Sequence, residues 1–126
     1  MHRVTLILTF LFSLMFSSPS YSEWTWVVVN RGTTFYVDDD RIRKVDGYVY
    51  WWDMTDYLKP SEGDLSAKVY NQGDCKLFRF KQLSFSFHKE PMGGGTGEVF
   101  NPKNPDWEYP PPNSVIETAL KSVCGR

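Results

Sequence analysis

The sequence predicts an α+β fold: a single antiparallel sheet of about six strands, with a C-terminal helix packed on one face and tied by a disulfide. Three observations carry this prediction. Most of the chain after residue 22 consists of short β-branched and aromatic runs separated by turn signals. A capping-box pattern near the C-terminus opens a stretch of helical periodicity. Two cysteines lie in the same small domain.

The first 22 residues are typical of a cleaved secretion signal. A basic start at residues 1–3 leads into a largely apolar run at residues 4–16, and a serine-rich segment ends at Ser22. This run of 13 residues suits a signal peptide and is shorter than the roughly 20 residues of a membrane span. We therefore expect cleavage near Ser22 and export to the periplasm or the cell surface. An uncleaved N-terminal anchor is the alternative.

Residues 23–126 are expected to form one domain, because this length suffices for a single hydrophobic core. They carry 13 basic and 15 acidic side chains, a net charge of −2. Nucleic-acid binding is disfavoured, since it depends on a basic surface that neutralises phosphates. No later stretch is long enough for a stable membrane span.

The strands are predicted from runs of alternating or continuous apolar residues. Asp46-Gly47 is a strong hairpin signal, whereas residues 59–64 and the glycine-rich residues 91–97 are predicted to be a loop and a flexible turn. The predicted strands are 24–29, 33–38, 48–57, 65–70, 76–88 and 98–100.

The longest predicted strand contains a change of parity. Phe78 and Phe80 share one parity, whereas Leu83, Phe85 and Phe87 share the other. Because side chains of a strand alternate between faces, an unbroken strand would send these two sets to opposite sides. Either a bulge near residues 81–82 corrects the register, or both faces of the sheet are covered.

The C-terminal segment changes from irregular structure to helix. Residues 101–112 hold five prolines and cannot be regular. A capping box at residues 114–117 then opens a helix in which Ile116, Leu120 and Cys124 step by four. Cys124 should therefore point toward the sheet near Cys75. The expected disulfide closes a loop of 49 residue steps, which stabilises by about 4 kcal/mol. Two free thiols or an intermolecular bond are the alternatives.

Short motifs follow one another in order through nearly all of residues 23–126. They are Trp24–Val27, Phe35–Asp38, Asp46-Gly47, Trp52–Tyr57, Ser66–Lys68, Asp74-Cys75, Met92–Gly95, Trp107, Pro112–Ser114 and Val123-Cys124. Their order and spacing resemble the surface-adhesin protein E-like domain family of proteobacteria. The resemblance implies the same sheet, helix and disulfide. It also implies a protein that binds host extracellular-matrix and plasma proteins and dimerises. Unlike the adhesin that names the family, this chain has no lipid-attachment cysteine.

Candidate catalytic pairs are few. Ser86 and His88 share one side of a strand and form the minimum pair for acyl transfer, but a surface histidine beside a turn is the favoured interpretation. Asp53 and Asp56 differ in parity, which disfavours a glycosidase pair. We therefore expect no enzymatic activity.

Metal and cofactor sites are also not expected. The acidic run at residues 38–40 lacks the alternate spacing and the glycine of a calcium loop. Cys75 and Cys124 have no histidine partners for zinc. The glycine cluster at residues 93–97 lacks the lysine of a phosphate loop.

The aromatic residues indicate the candidate binding site. A helix of about three turns covers one face of the sheet, yet the strand at residues 48–54 is apolar at both parities. The uncovered face is predicted to bind a protein, unless the proline-rich segment and strand edges cover it. The candidate binding residues are Tyr48, Tyr50, Trp52, Phe78 and Phe80.

Two functions follow from this face. The first is an exported non-enzymatic binding module that contacts a host matrix or plasma protein through the aromatic face and the loops. The alternative is a periplasmic structural or assembly subunit that binds another envelope protein or itself. The chain is also predicted to form a homodimer.

Overall fold

The computed structural model describes residues 24–30 and 32–126, so the predicted signal peptide at residues 1–22 lies outside the described residues. Within them, seven strands precede one α-helix. Their bounds are β1 Trp24–Asn30, β2 Thr33–Asp38, β3 Arg43–Val45, β4 Tyr48–Ser61, β5 Asp64–Asp74, β6 Arg79–His88, β7 Gly97–Phe100 and α1 Val115–Cys124. The helix in this part of the chain lacks the length and apolarity to cross a membrane.

All the strands pair antiparallel in one sheet. The order is β1-β2-β4-β5-β6-β7, and β3 pairs with β4 beside this path. β2 and β3 share one edge of β4, with β2 at Asp53–Asp56 and β3 at Tyr48–Tyr50. The predicted fold class is confirmed.

Two tight turns define the hairpins of β4. Asp46-Gly47 joins β3 to β4, and Glu62-Gly63 joins β4 to β5, with positive φ at all four residues. Two-residue hairpin turns of this kind match the twist of the strands. The first turn confirms its prediction. The predicted loop at residues 59–64 is wrong, because β4 runs on to Ser61 and the register irregularity after Asp56 accommodates the proline.

A bulge in β6 resolves the change of parity. Tyr70 pairs with Ser84 and Asn71 pairs with Gln82, so Leu83 is left as an extra residue. The bulge lies one residue beyond the predicted position. Phe80 and Phe85 therefore face the same side of the sheet, which we call the inner face because α1 packs on it; the opposite side is the outer face.

The core lies between the inner face and α1. Its buried members are Val37, Val49, Trp51, Phe80, Ala119, Leu120 and Val123. Gly73 on β5 allows this close approach, because a Cβ there would lie 2.8–2.9 Å from Leu120, Trp51 and Val49. No other residue type would fit at this position without displacing the core.

The predicted helix start is confirmed. The Ser114 hydroxyl accepts the Glu117 N–H at 3.2 Å, and the Glu117 carboxylate accepts the Asn113 N–H at 3.2 Å. These bonds satisfy backbone donors that have no partner within the helix.

The predicted disulfide is also confirmed, with a Cα–Cα distance of 5.7 Å between Cys75 and Cys124. Cys75 lies in a turn rather than at the start of a strand. Asp74 accepts hydrogen bonds from the backbone N–H groups of Lys76 and Leu77 at 3.1 Å each. These N–H groups therefore do not bond to a neighbouring strand, and β6 begins only at Arg79.

Candidate functional site on the outer face of the sheet

Strand alternation places three of the predicted binding residues on the outer face. Val49 and Trp51 are buried in the core, so Tyr48, Tyr50 and Trp52 point to the opposite side and are half-buried there. Tyr70 of β5 joins them, with ring centroids 4.9 Å from Trp52 and 6.2 Å from Tyr50. The prediction of an aromatic outer face is supported by this geometry.

The other two predicted residues lie elsewhere. Phe80 is 5% exposed and belongs to the core, because it pairs with Gly73 on the inner parity beneath α1. Phe78 lies in the turn before β6, with φ of 53°, and packs against the core. The assignment of these two phenylalanines to the outer face is wrong.

Trp107 extends the outer face from the proline-rich segment. Phe80 and Glu108 exchange two backbone hydrogen bonds of 2.9 Å, so this segment runs along the edge of β6. Trp107 then lies on the outer side with its ring 5.6 Å from that of Tyr48. The segment thus adds a half-buried ring to the face. Sequence reasoning missed Trp107, because a tryptophan among prolines belongs to no strand and has no parity to assign.

Cationic side chains lie over these rings. The Arg79 guanidinium and the Lys81 ammonium lie 4.3 and 4.5 Å from the centre of the Trp107 ring. Arg43 lies 5.7 Å from the Tyr50 ring. Such cation–π contacts hold a ring and a charge side by side at the surface.

Hydrogen bonds fix the orientation of the face. Gln72 donates to the Tyr50 hydroxyl at 3.1 Å, and Arg79 Nε donates to Asp74 at 3.0 Å. The backbone N–H of Leu77 and the Arg79 guanidinium hold the pKa of Asp74 below its ordinary value. Arg79 is therefore clamped between a carboxylate and the Trp107 ring.

We call this assembly the outer aromatic face. Its rings are Tyr48, Tyr50, Trp52, Tyr70 and Trp107, and its cations are Arg43, Arg79 and Lys81. Tyrosine, tryptophan and arginine are the residues enriched at protein interfaces. Their partial burial holds the rings in place, so that little conformational entropy is left to lose on binding.

The glycine-rich segment limits the face at its far end. The Met92 N–H donates to Asp56 and the Gly93 N–H donates to Ser66, each at 2.8 Å. Met54, on the outer parity of β4, is fully buried at this end. The segment predicted to be a flexible turn is thus hydrogen-bonded to the sheet, and the open aromatic surface ends here.

Comparison with known proteins identifies the family. The sequence matches the surface-adhesin protein E family over residues 24–125. The chain belongs to this family. Among solved structures, crystal form II of Haemophilus influenzae protein E aligns with a TM-score of 0.66 and 17% identity, over 85% of this chain and 91% of that chain. Protein E from non-typeable Haemophilus influenzae aligns with a TM-score of 0.59 and 14% identity, over 86% and 79%. No curated protein matches the sequence significantly. At these identities the structures establish a shared fold for this member of the surface-adhesin protein E family.

The catalytic candidates of this adhesin-family protein are arranged as follows. Ser86 Oγ lies 2.9 Å from His88 Nε2, so the two side chains meet as their parity predicts. The expectation of a surface histidine is wrong, because His88 is 6% exposed and its ring packs against Gly97. Its Nδ1 atom has no hydrogen-bond partner within residues 24–30 and 32–126, whereas a working base is oriented by a third group.

The acidic candidates lie on different faces of the sheet or in a turn. Asp53 lies on the inner face and Asp56 on the outer face, which confirms their opposite parity. Asp38 caps a turn by accepting the Asp40 N–H at 3.2 Å and pairs with Arg41 at 3.3 Å. The described part of the chain contains no group of three or more His, Cys, Asp or Glu side chains that could hold a metal ion.

Proposed function

We propose that this protein is an exported, non-enzymatic binding module whose outer aromatic face contacts a partner protein. Membership of the surface-adhesin protein E family supports an adhesin-like role. The observation that carries the proposal is the group of five stacked or tilted rings and three cations on the side of the sheet that α1 leaves uncovered.

The energetics of the face favour protein binding over a purely structural role. The five rings are half-buried in the monomer, so a partner that covers them removes further apolar area from water. Interface residues of these types cost about 2 kcal/mol or more when truncated at the centre of a contact. Trp107 is the ring to truncate first, because Tyr48, Arg79 and Lys81 all pack around it.

The charges of the face favour an acidic partner surface. Arg43, Arg79 and Lys81 lie among the rings, and Asp74 is already paired with Arg79. The face is thus locally positive, although residues 23–126 carry a net charge of −2. Complementary charge steers association and selects partners. Host matrix and plasma proteins are the partner class that the family resemblance implies.

The test is a capture experiment with the exported protein, oxidised at Cys75–Cys124. Immobilised wild type is exposed to purified host matrix and plasma proteins and, in parallel, to bacterial envelope extract. Trp107→Ala should weaken saturable binding by at least about tenfold, since a central tryptophan commonly contributes 2 kcal/mol or more. Tyr109→Ala is the matched control, because Tyr109 is an aromatic residue only two positions away and is 66% exposed.

The outcomes separate the proposed functions. Capture of a matrix or plasma protein that Trp107→Ala removes and Tyr109→Ala retains supports an adhesin. Capture of an envelope protein alone, with the same dependence, makes the protein a periplasmic assembly component. Sedimentation of the same samples tests the predicted homodimer. Equal binding by wild type and Trp107→Ala contradicts the assignment of the outer aromatic face.

A further inference from the structure

A cavity lies on the inner face, between the sheet and the start of α1. Its volume is about 320 Å³, at the lower end of the range of about 300–1,000 Å³ for small-molecule sites. Phe35, Thr55 and Val115 line it and keep partial exposure, so the cavity is open to solvent. Its apolar wall consists of Val27, Phe35, Val37, Val69, Val115, Ile116 and Ala119.

One carboxyl group stands in this apolar wall. Asp53 lines the cavity, and Asn71, which is fully buried, donates to its Oδ2 atom at 2.8 Å. Among the described residues that line the cavity, none is Lys, Arg or His, and those from β1, β2, β5, β6 and α1 carry no charge. Burial raises the pKa of Asp53 to about 7, against the opposing effects of the Asn71 side chain and the Trp51 side chain.

An unpaired carboxylate in an apolar site is unfavourable unless a cation or water compensates it. Asn71 supplies one hydrogen bond and holds the carboxyl group in place, but it brings no charge. A ligand that carries a cation would supply the missing partner, and a charge-assisted hydrogen bond is stronger than a neutral one. The rest of the wall then favours an apolar body.

The start of α1 also borders the cavity through Ser114 and Val115. Free N–H groups at a helix start attract anions. Here the Ser114 hydroxyl and the Glu117 carboxylate already accept two backbone N–H groups of this region. The carboxylate of Glu117 further offsets the positive end of the helix. The cavity therefore favours a cation over an anion.

We propose that this cavity binds a small amphipathic ammonium compound, with its ammonium group on Asp53 and its apolar body against the valines of the sheet and the first turn of α1. The site lies on the face opposite the outer aromatic face. Its existence does not depend on the proposed protein partner.

Three probes with the same phenyl body and different heads test the proposal: phenethylammonium, 2-phenylethanol and phenylacetate. Each is titrated into the full, oxidised, isotope-labelled protein at pH 8 and followed by amide chemical shifts. Phenethylammonium should shift the amides around Asp53, Val69 and Ile116 and bind about tenfold or more tightly than 2-phenylethanol, because a hydrogen bond to a charged group contributes that much. Its affinity should fall at pH 5, where Asp53 holds a proton.

Asp53→Asn keeps the shape and an acceptor for Asn71 but removes the charge. It should reduce the affinity for phenethylammonium to that for 2-phenylethanol. Asp56→Asn is the matched control on the outer face and should leave both affinities unchanged. Equal affinities for the ammonium and the alcohol in wild type, tighter binding of phenylacetate, or no saturable shift at these amides would each overturn the proposal.

Discussion

Asp53 and Asp56 are two carboxyl groups on one strand with opposite surroundings. Asp56 accepts a backbone N–H from Met92 on the outer face, whereas Asp53 lines an apolar cavity with Asn71 as its donor. Burial raises the pKa of Asp53 from 3.8 to about 7. The parity of the two residues, which sequence reasoning uses to argue against a paired role, therefore also places their carboxyl groups in different surroundings.

Asp53→Asn should change how stability depends on pH. Between about pH 4 and pH 7 the folded protein keeps the Asp53 proton that the unfolded chain has released, so the free energy of unfolding falls as the pH rises. Each unit of pKa shift corresponds to about 1.4 kcal/mol of stability, but water at the open cavity screens part of this effect. The stability of Asp53→Asn relative to wild type should therefore rise by about 2 kcal/mol from pH 4 to pH 8. Urea denaturation across this range measures it.

Asp56→Asn serves as the reference variant for this measurement. The amide oxygen that the substitution introduces can still accept the Met92 N–H, but it carries no charge, so the variant should be slightly less stable than wild type by a similar amount between pH 5 and pH 8. If Asp53→Asn shows the same flat difference from wild type, Asp53 is ionised in the folded protein throughout, and the raised pKa is contradicted.

Single residues also show when the alternation of side chains along a strand predicts the face on which they lie. Tyr48, Tyr50 and Trp52 were placed on the outer face by parity within one continuous strand, and the structure agrees. The outer-face prediction is wrong for Phe80, because its face depends on the bulge at Leu83 and on its pairing with Gly73 in another strand. Parity could not assign Trp107 to a face, because Trp107 lies outside the predicted strands and its position is set by the backbone pairing of Glu108 with Phe80.

At the scale of elements, local signals predicted more than long-range ones. The helix start and the Asp46-Gly47 turn are each encoded in a few neighbouring residues, and both are confirmed. The disulfide is a long-range contact, but two cysteines in one small domain leave a single intramolecular pairing, which is also confirmed. The short strand β3 is not among the predicted strands, because its three exposed residues become a strand only by pairing with Tyr48–Tyr50. The docking of the glycine-rich segment likewise depends on Asp56 and Ser66, which lie far away in the sequence.

The disulfide should dominate the stability of α1. The helix has ten residues, which is too short to persist without tertiary support. Replacing both cysteines by serine should lower the free energy of unfolding by about 3–4 kcal/mol, because the bond closes a loop of 49 residue steps in the unfolded chain. Ser114→Ala should cost only about 1 kcal/mol through the lost cap. Urea denaturation of the two variants compares them. A loss below that of Ser114→Ala would contradict the dominant role of the disulfide.

At the scale of the whole molecule, one sheet separates two surfaces of different chemistry. Trp51 and Val49 fill the core on one side of β4, while Tyr48, Tyr50 and Trp52 form the other side. α1 covers the inner face over the core and leaves the cavity open beside it, and the glycine-rich segment covers the outer face near Met54. A small domain thus has room for a protein contact and a small-molecule site without overlap.

This arrangement predicts that the two surfaces act independently. Trp107→Ala removes a ring from the outer face and should leave phenethylammonium binding within about twofold of wild type, because sites without shared partners add to within a few tenths of a kcal/mol. Asp53→Asn should in turn leave protein capture by the outer face unchanged. The double variant should show both losses at their single-variant size, measured by amide-shift titration and by the capture assay on the same preparations. If Trp107→Ala instead loses affinity for phenethylammonium while its free energy of unfolding is unchanged, the two faces of β4 are coupled. Such coupling would arise because Asp53 and Trp52 are neighbours on that strand, so that a shift of one residue moves the other.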